Sequence, residues 1–313
     1  MTQVFSYLPE EEKGEYKTEK QWLKLGFVPT SIHAGTVMYA NGHRQKKFLY
    51  LTATEVRKAT EEELAPYREA ERTKRRNRWL KEKKERERGK RKIELLALCK
   101  RQGELDKEKY TGIVPTLDVA IDIETTGFNF WEDEILQVSI LDVNTGETVL
   151  NSYVKPYFTE DWPEARRVNN ITKEMVENAP YFHEILPRVN AVLAQTKTIV
   201  GYNCTEFDRP FMAYYGVNFN GDTEVVDMLF LFAAIYGEFS PKYGDFKFKN
   251  LSFCADYFGY DWGTEKAHDS LADCRATAFC YRKAQEAEYM KLYEENIAKR
   301  DSGYFEGEGG YYG

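Results

Sequence analysis

The sequence predicts an α/β fold for residues 113–298, in which helices cover both faces of a mixed five-stranded sheet. Three strand patterns come first, at Leu117–Ile123, Ile135–Leu141 and Thr148–Lys155, and Asn144-Thr145-Gly146 is typical of a hairpin turn between the last two. Helical and strand patterns then alternate, which is expected when helices join parallel strands. The chain has 313 residues, of which 42% are hydrophobic, so it can bury a core of this size.

The elements after the third strand follow from hydrophobic period and turn residues. In order, they are helices at Ile171–Glu177 and Phe182–Ala194, a strand at Thr198–Tyr202, a helix at Phe207–Tyr215, a strand at Glu224–Asp227 leading into a helix that ends near Tyr236, and helices at Leu251–Phe258 and Ala272–Tyr293.

The N-terminal part is predicted to be separate. Residues 1–15 are acidic and are expected to be flexible, whereas residues 16–57 are predicted to form a small β-containing unit. Its strands are expected at Val37–Ala40 and Lys46–Leu51, with a turn that starts at Asn41-Gly42. The role of this unit is open between nucleic-acid binding, partner docking and a lid.

Residues 58–112 are predicted to form a long charged helix or linker. Thr60-Glu61-Glu62-Glu63 is a capping-box pattern, although Pro66 indicates that the main helix starts there instead. The helical pattern runs from Tyr67 to about Arg101, and Lys81–Lys92 contains no large apolar side chain, which is typical of an exposed strut. At the other end of the chain, residues 299–313 form a Gly- and Tyr-rich tail that is expected to be disordered.

Charge is unevenly distributed along the chain. Residues 67–109 hold 18 Lys and Arg against 9 Asp and Glu, while the rest of the chain holds 26 against 42. A basic segment of this kind indicates either a nucleic-acid contact or a solvated spacer. The candidate contacts are Arg75, Arg76, Arg78, Trp79, Lys83 and Lys84, of which Trp79 could stack on a base.

Composition also bears on the compartment. No apolar run approaches the roughly 18–20 residues that span a bilayer, and no secretory signal is seen, so no membrane partner is expected. The five cysteines form no Cys-x-x-Cys pair, which argues against a disulfide scaffold or a cysteine zinc site. A reducing cytoplasm is the predicted location.

An acidic pair follows the first apolar strand, in Asp122-Ile123-Glu124-Thr125-Thr126-Gly127. Side chains two apart on a strand share a face, so Asp122 and Glu124 project together. Two buried carboxylates repel each other unless a cation lies between them, and hard oxygen ligands suit Mg²⁺ or Mn²⁺. The sequence therefore predicts a divalent metal site here, against the alternative of a solvated strand end.

Two later segments carry further candidates. Asp208 follows a predicted strand at the start of a helix, and His268 precedes Asp273 by five residues. Ser270 is predicted to cap the last helix, which places Asp273 in its first turn and leaves His268 on the preceding loop.

In this order the segments resemble those of the DEDDh-type 3′–5′ exonucleases, which include the proofreading epsilon subunit and the PolC-type exonuclease domain of bacterial DNA polymerase III. The resemblance covers about residues 115–290 and implies an RNase H-like fold. The family's first motif falls on Asp122 and Glu124, its second on Asp208, and its third on His268 and Asp273. Asn203 stands five residues before Asp208, where the family has four.

The resemblance implies a two-metal reaction that releases nucleoside 5′-monophosphates from a DNA 3′ end. Two Mg²⁺ ions about 3.5–4 Å apart, for which Mn²⁺ could substitute, would be held by the four carboxylates. Asp122 would bridge both ions, and Glu124 and Asp273 would hold the ion that carries the attacking water. Asp208 would orient the second ion, and His268 would accept the water's proton. The implied substrate contacts are Thr125, Thr126, Gly127, Phe128, Asn203 and Phe207.

Other functions remain open at this stage. The same chemistry could act on RNA, because the groups that read the 2′-hydroxyl cannot be placed from the motifs. A non-catalytic polymerase-accessory or nucleic-acid-binding subunit of the same fold is a further alternative. The expected partners are a nucleic acid and, as a separate chain, a DNA polymerase or a replication or repair protein.

Overall fold

The computed structural model describes residues 3–41, 43, 46–264 and 267–304. The chain forms two compact units, residues 1–86 and 87–313, and the boundary between them falls inside one long helix. Gly42 of the predicted Asn41-Gly42 turn lies outside the described residues, as do residues 305–313 of the predicted tail. In the described residues no helix is long and apolar enough to cross a membrane.

The first unit is a small α and β assembly. It contains α1 (Glu10–Lys13), β1 (Lys17–Thr18), α2 (Glu19–Lys24), β2 (Phe27–Pro29), β3 (Thr36–Tyr39), β4 (Lys47–Leu51), β5 (Val56–Lys58) and the first part of α3 (Glu61–Lys109). The strands pair antiparallel in the orders β1-β4-β3 and β2-β5. Within the segment predicted to be flexible, Val4 is buried and pairs with Tyr39.

The bounds of α3 differ from the prediction at both ends. The capping box is confirmed, since the Thr60 N–H donates to Glu63 at 2.9 Å and the Glu63 N–H donates to the Thr60 hydroxyl at 3.2 Å. The alternative start at Pro66 is therefore wrong, and the cap holds the turn that precedes the proline. The end near Arg101 is also wrong, because the last turns are docked through the buried Asp106, whose carboxylate accepts a bond from Asn190 at 2.9 Å.

The second unit is built on the predicted mixed five-stranded sheet, which is confirmed. Its strand order is β10-β9-β6-β7-β8, with parallel pairing among the first three strands and antiparallel pairing among the last three. The elements are β6 (Leu117–Thr125), β7 (Ile135–Asp142), β8 (Thr148–Tyr153), α4 (Pro163–Asn169), α5 (Lys173–Val176), α6 (Phe182–Leu193), β9 (Thr196–Gly201), α7 (Asp208–Tyr214), β10 (Glu224–Asp227), α8 (Met228–Tyr236), β11 (Phe239–Ser240), β12 (Asp245–Phe246), α9 (Leu251–Phe258), α10 (Ser270–Ala284) and α11 (Ala287–Asp301).

Side-chain alternation along β6 divides the core between the two faces of the sheet. Val119, Ile121 and Ile123 pack with residues of α3, α6 and α7, while Ala120 packs with residues of α8, α9 and α10. Asp122, two residues after Ala120, therefore faces the α10 side. The small Ala120 lets α10 lie close to the strand that carries the acidic pair.

Two helices at the C-terminal end replace the single predicted helix Ala272–Tyr293. The helix breaks after Ala284, because Glu286 has an extended backbone with φ −64° and ψ 142°. The break brings α11 against α8, where the Asn296 amide donates to the Ala234 carbonyl at 2.8 Å. The helix α4 was not predicted, although Pro163 at its start is a typical first residue.

Candidate active site

Four carboxylates meet where β6, β9 and α10 approach each other. Asp122 and Glu124 lie on one face of β6, and Asp208 begins α7. The buried Asp208 carboxylate accepts a hydrogen bond from the Ile123 N–H at 2.9 Å, which ties α7 to the strand between the two acidic residues. Asp273 lies in the first turn of α10, and its carboxylate accepts a bond from the His268 N–H at 3.1 Å.

The cap of α10 corrects the prediction for Ser270. The capping residue is Asp269, whose carboxylate accepts bonds from the N–H groups of Leu271 and Ala272, both at 3.1 Å. Ser270 is already inside the helix and is fully buried. Its hydroxyl instead donates to the Asp122 carbonyl at 2.9 Å. This bond fixes the third motif against the first.

The site has the ligand atoms of a cation site, and some of its buried oxygens lack a hydrogen-bond partner. Ligand atoms of Glu124, His268 and Asp273 all lie within 4.8 Å of one another. Among the described residues, Asp122 Oδ2 and Asp273 Oδ1 are buried oxygens without a hydrogen-bond partner. Burying such oxygens unpaired is costly, and a divalent cation removes the cost. The residues present therefore fit a divalent metal.

Burial and mutual repulsion favour protonated carboxyls in this site when no metal is bound. Burial is the largest cause, and neighbouring carboxylates add to it: the pKa of Asp122 lies well above its usual range, and that of Glu124 is raised to about 8. The pKa values of Asp208 and Asp273 are both raised to about 7, again chiefly by burial. A bound cation would favour the ionised forms.

His268 lies at the exposed rim of this cluster. Its backbone is in the left-handed region, with φ 69°, and its side chain is exposed. The residue lines a cavity of about 360 Å³ together with Tyr153, Asn169 and Met175. The imidazole thus stands between the carboxylates and solvent, a position from which it can exchange a proton with water.

The loop after β6 is held tightly by Asp133. The Thr126 hydroxyl and the Asn129 N–H donate to the two oxygens of that carboxylate, at 3.1 and 3.0 Å. A Cβ on Gly127 would lie 2.5 Å from the same carboxylate, so only glycine allows this approach. Thr125 donates to the Gly127 carbonyl at 2.6 Å. The loop is therefore rigid on the side that faces Asp133.

An aromatic pair projects from the same region. Phe128 is 87% exposed, and its ring centroid lies 6.2 Å from that of the half-buried Phe207, which precedes α7. The two rings offer a flat apolar surface of the kind on which a nucleobase can stack.

Asn203, the residue displaced in the second motif, lies in a tight turn that Asp227 holds. Asn203 has a left-handed backbone with φ 63°, and its N–H donates to Asp227 Oδ1 at 2.8 Å. The Thr205 N–H donates to Asp227 Oδ2 at 2.9 Å. The additional residue is thus accommodated in the turn, and Asp208 still reaches β6. The role of Asp227 was not predicted, because this contact crosses from β10 to the loop after β9.

Asn169 was also missed by sequence reasoning. It is buried at the end of α4, its amide donates to the Thr125 carbonyl at 3.1 Å, and a hydrogen bond from it lowers the pKa of Glu124 against the larger effect of burial. The only local signal was the Asn169-Asn170 pair, of which Asn170 ends α4 in the left-handed conformation.

Comparison with known proteins assigns this constellation to a family. A family model for an exonuclease, RNase T, matches residues 119–281, which include all five acidic and histidine residues of the site. The chain belongs to this exonuclease family. Its fold is the mixed five-stranded sheet, covered by helices on both faces, that the sequence predicted.

Individual relatives of the exonuclease are distant. The chain is 24% identical over 192 residues to DNA polymerase III subunit epsilon of Pasteurella multocida (strain Pm70), covering 58% of this chain and 73% of that subunit. It is 30% identical over 169 residues to the 3'-5' exonuclease DinG of Staphylococcus haemolyticus (strain JCSC1435), covering 52% of this chain and 17% of that protein.

Solved structures match more loosely. A crystal structure of E. coli Exonuclease I in complex with a dA16 oligonucleotide has a TM-score of 0.46 and 22% identity, covering 57% of this chain and 42% of that one.

The second unit extends beyond the family match and includes the second part of α3. Arg88 donates to the Glu132 carbonyl at 2.5 Å, and Lys92 contacts the Trp131 carbonyl and lies 3.6 Å from the Glu132 carboxylate. These contacts hold the part of the loop after β6 at Trp131 and Glu132, next to the hydrogen bonds of Asp133. Sequence reasoning treated Lys81–Lys92 as an exposed strut and expected docking only from Ile93 onward, so it missed these contacts.

The predicted contacts of the basic segment lie in the first unit, at exposed positions of α3: Arg75, Arg76, Arg78, Trp79, Lys83 and Lys84. The Lys83 ammonium lies 5.5 Å from the centre of the Trp79 ring. Their role in binding stays a prediction.

Proposed function

We propose that this exonuclease is of the DEDDh type and removes nucleoside 5′-monophosphates one at a time from the 3′ end of DNA, with two Mg²⁺ ions that Mn²⁺ can replace. The observation that carries the proposal is the pair of buried, unpartnered oxygens on Asp122 and Asp273, beside the Glu124–His268–Asp273 cluster. Such oxygens are suited to hard divalent cations.

The carboxylates of Asp122, Glu124, Asp208 and Asp273 would hold the ions. Bound divalent ions supply the positive charge that stabilises the attacking and leaving oxygens of the phosphodiester. Asp208, fixed by the Ile123 N–H, orients the second position. His268 accepts the proton of the attacking water, since histidine exchanges protons near neutral pH and its side chain reaches both the cluster and solvent.

The terminal nucleotide would lie against the loop after β6. Phe128 and Phe207 offer the base an apolar surface, and the backbone of Thr125, Thr126 and Gly127 lies beside the sugar and phosphate. Asn203 borders the same site through its turn. The 3′ polarity and the DNA substrate are supported by the names of the relatives, a polymerase III subunit and a 3'-5' exonuclease. A polymerase partner and a cytoplasmic location are proposed on the same grounds.

A digestion assay tests this function. Single-stranded DNA, duplex DNA and RNA of one sequence, each labelled at the 5′ end, are incubated with Mg²⁺, Mn²⁺ or EDTA. We expect a ladder that shortens from the 3′ end of DNA, requires metal and disappears in Asp122→Asn. A ladder that forms on RNA but not on DNA would identify RNA as the substrate in place of DNA. No cleavage of any substrate by a protein that still binds them would indicate a non-catalytic subunit.

A further inference from the structure

The N-terminal unit, which lies outside the family match, contains a groove of about 390 Å³ on one face of its sheet. The groove is bounded by the β4 strand, by α2 and by the first residues of the chain. Beside two neutral polar residues, its lining contains four aromatic residues and two lysines: Phe5, Tyr16, Phe48, Tyr50, Lys20 and Lys24. The proposed function above uses none of these residues.

The groove holds an aromatic cluster in which Tyr50 is buried, Phe5 is half-buried and Phe48 is exposed. Phe5 lies parallel to Tyr50, with ring centroids 4.5 Å apart and an interplanar angle of 5°. Phe48 shares the β4 face with Tyr50, since the two are two residues apart, and their rings are 6.4 Å apart at 77°. Phe48 is 43% exposed. The unit therefore leaves part of an aromatic cluster open to a ligand.

The lysines stand along one side of this cluster. Lys20 and Lys24 are exposed and four residues apart on α2, so their side chains project in the same direction. Lys20 and Lys24 also help to lower the pKa of Glu71, although the hydrogen bond from Lys74 is the main cause.

The charge of the unit favours an anionic ligand. Residues 1–86 contain 19 Lys and Arg against 13 Asp and Glu, whereas residues 87–313 contain 25 against 38. The first unit is thus positive and the catalytic unit strongly negative. A long nucleic-acid chain would meet repulsion over most of the catalytic unit and attraction at the first.

We infer that this groove binds single-stranded nucleic acid, with an unstacked base against Phe48 and the outer side of Phe5 and its phosphates at Lys20 and Lys24. The inference rests on the proposed function for its choice of polymer. In a nucleotide, the base can stack on an aromatic ring while the phosphate contacts a lysine. The bases of a duplex are already stacked on each other and cannot reach the rings. An acidic peptide would satisfy the lysines but not the aromatic surface.

Binding is measured on the full chain carrying Asp122→Asn, in EDTA, by the fluorescence anisotropy of a labelled oligothymidylate of about 16 nucleotides. Adding Phe48→Ala is expected to weaken binding about fivefold or more. Tyr7→Ala, which removes a 73% exposed ring that does not line the groove, is the matched control and should leave the Kd unchanged. Circular dichroism verifies that both variants are folded.

The lysines have a separate readout. Lys20→Gln with Lys24→Gln should reduce the slope of log Kd against log salt by about 1.4, because each lost phosphate contact removes about 0.7 on a single strand. Lys46→Gln with Lys58→Gln, both exposed and outside the groove, should leave the slope unchanged. Equal slopes in the two double variants would overturn the inference.

The outcomes separate this inference from the proposed function. If wild type digests DNA but Phe48→Ala binds like its control, the groove inference fails and the exonuclease stands. If Phe48→Ala weakens binding while wild type digests nothing, the groove inference stands and the proposed exonuclease function fails. Displacement of the oligonucleotide by polyglutamate as readily as by unlabelled oligothymidylate would overturn the inference in favour of an acidic peptide.

Discussion

The two parts of α3 have similar composition and different surroundings. Residues 61–86 carry ten Lys and Arg and bury only Leu64, whereas residues 87–109 carry eight and bury Leu95, Cys99, Gly103 and Asp106. The difference lies in spacing, since Leu95, Cys99 and Gly103 recur every four residues and form one face of the helix. Charge content alone therefore says little about whether a helix is docked.

Residues 87–109, the docked part of α3, pack closely against the rest of the second unit, which carries the catalytic residues and is called the catalytic unit. A Cβ on Gly103 would lie 2.5 Å from the Gly216 carbonyl oxygen, so the helix meets that loop backbone to backbone. The Asn218 amide donates to the Gly103 carbonyl at 2.7 Å. Residues 87–109 are thus part of the catalytic unit, although the family match begins at residue 119.

The largest expected effect tests whether DNA hydrolysis depends only on residues of the second unit, residues 87–313. Asp122→Asn should lower the rate of metal-dependent DNA hydrolysis by about 1000-fold or more, because it removes a ligand charge from the metal site. Lys81→Gln, in the exposed part of α3, should leave the rate within about twofold. Single-turnover hydrolysis of a short labelled oligonucleotide measures both, and a comparable loss in Lys81→Gln would break the comparison.

A pair of leucines compares the two parts of the helix directly. Leu95→Ala should lower the free energy of unfolding by about 2–5 kcal/mol, because Leu95 is fully buried in the core. Leu80→Ala, at an exposed position, should change it by less than about 0.5 kcal/mol. Urea unfolding followed by circular dichroism measures both. Equal changes would mean that the second part of α3 is no better docked than the first.

The acidic cluster predicts a pH effect that is confined to the catalytic unit. The raised pKa values of Glu124, Asp208 and Asp273, about 8, 7 and 7, mean that the folded protein keeps protons that the unfolded chain loses above about pH 4. Stability in EDTA should therefore fall as the pH rises from about 4 to 8. Thermal unfolding measures it, and Glu124→Gln should reduce the fall. An unchanged pH dependence in that variant would show that the Glu124 carboxyl does not contribute to the loss of stability.

Metal binding should show the opposite dependence on pH. The ions bind ionised carboxylates, so Mg²⁺ affinity should rise between about pH 6 and 8. The stabilisation of Tm by saturating Mg²⁺ should accordingly be larger at pH 8 than at pH 6. A stabilisation that is equal at both pH values would show that the protons of this cluster are not displaced by metal.

The smallest expected effect concerns the grip of the docked part on the substrate loop. Lys92→Ala should raise the KM for DNA about threefold and leave kcat nearly unchanged, because Lys92 holds the loop at Trp131 and Glu132 but does not touch the reacting atoms. Lys81→Ala removes the same charge at an exposed position and is the control. An equal rise in KM in both variants would indicate a general effect of charge.

Patterns between neighbours in the chain were sufficient for the elements of the sheet and for the acidic pair. Asp122 and Glu124 share a face because a strand alternates, and Thr60 caps α3 because its partner is three residues away. These features depend on local geometry, which the sequence by itself determined.

Only the tertiary structure decided which residues complete the site. The bond from Ile123 to Asp208 joins residues 85 apart, and that from Ser270 to Asp122 joins residues 148 apart. Asn169 acts on Glu124 across the fold, and the second part of α3 is docked by loops that follow it in the chain. Such contacts depend on how whole elements pack, because the energy of burying a face is decided by the surface that covers it.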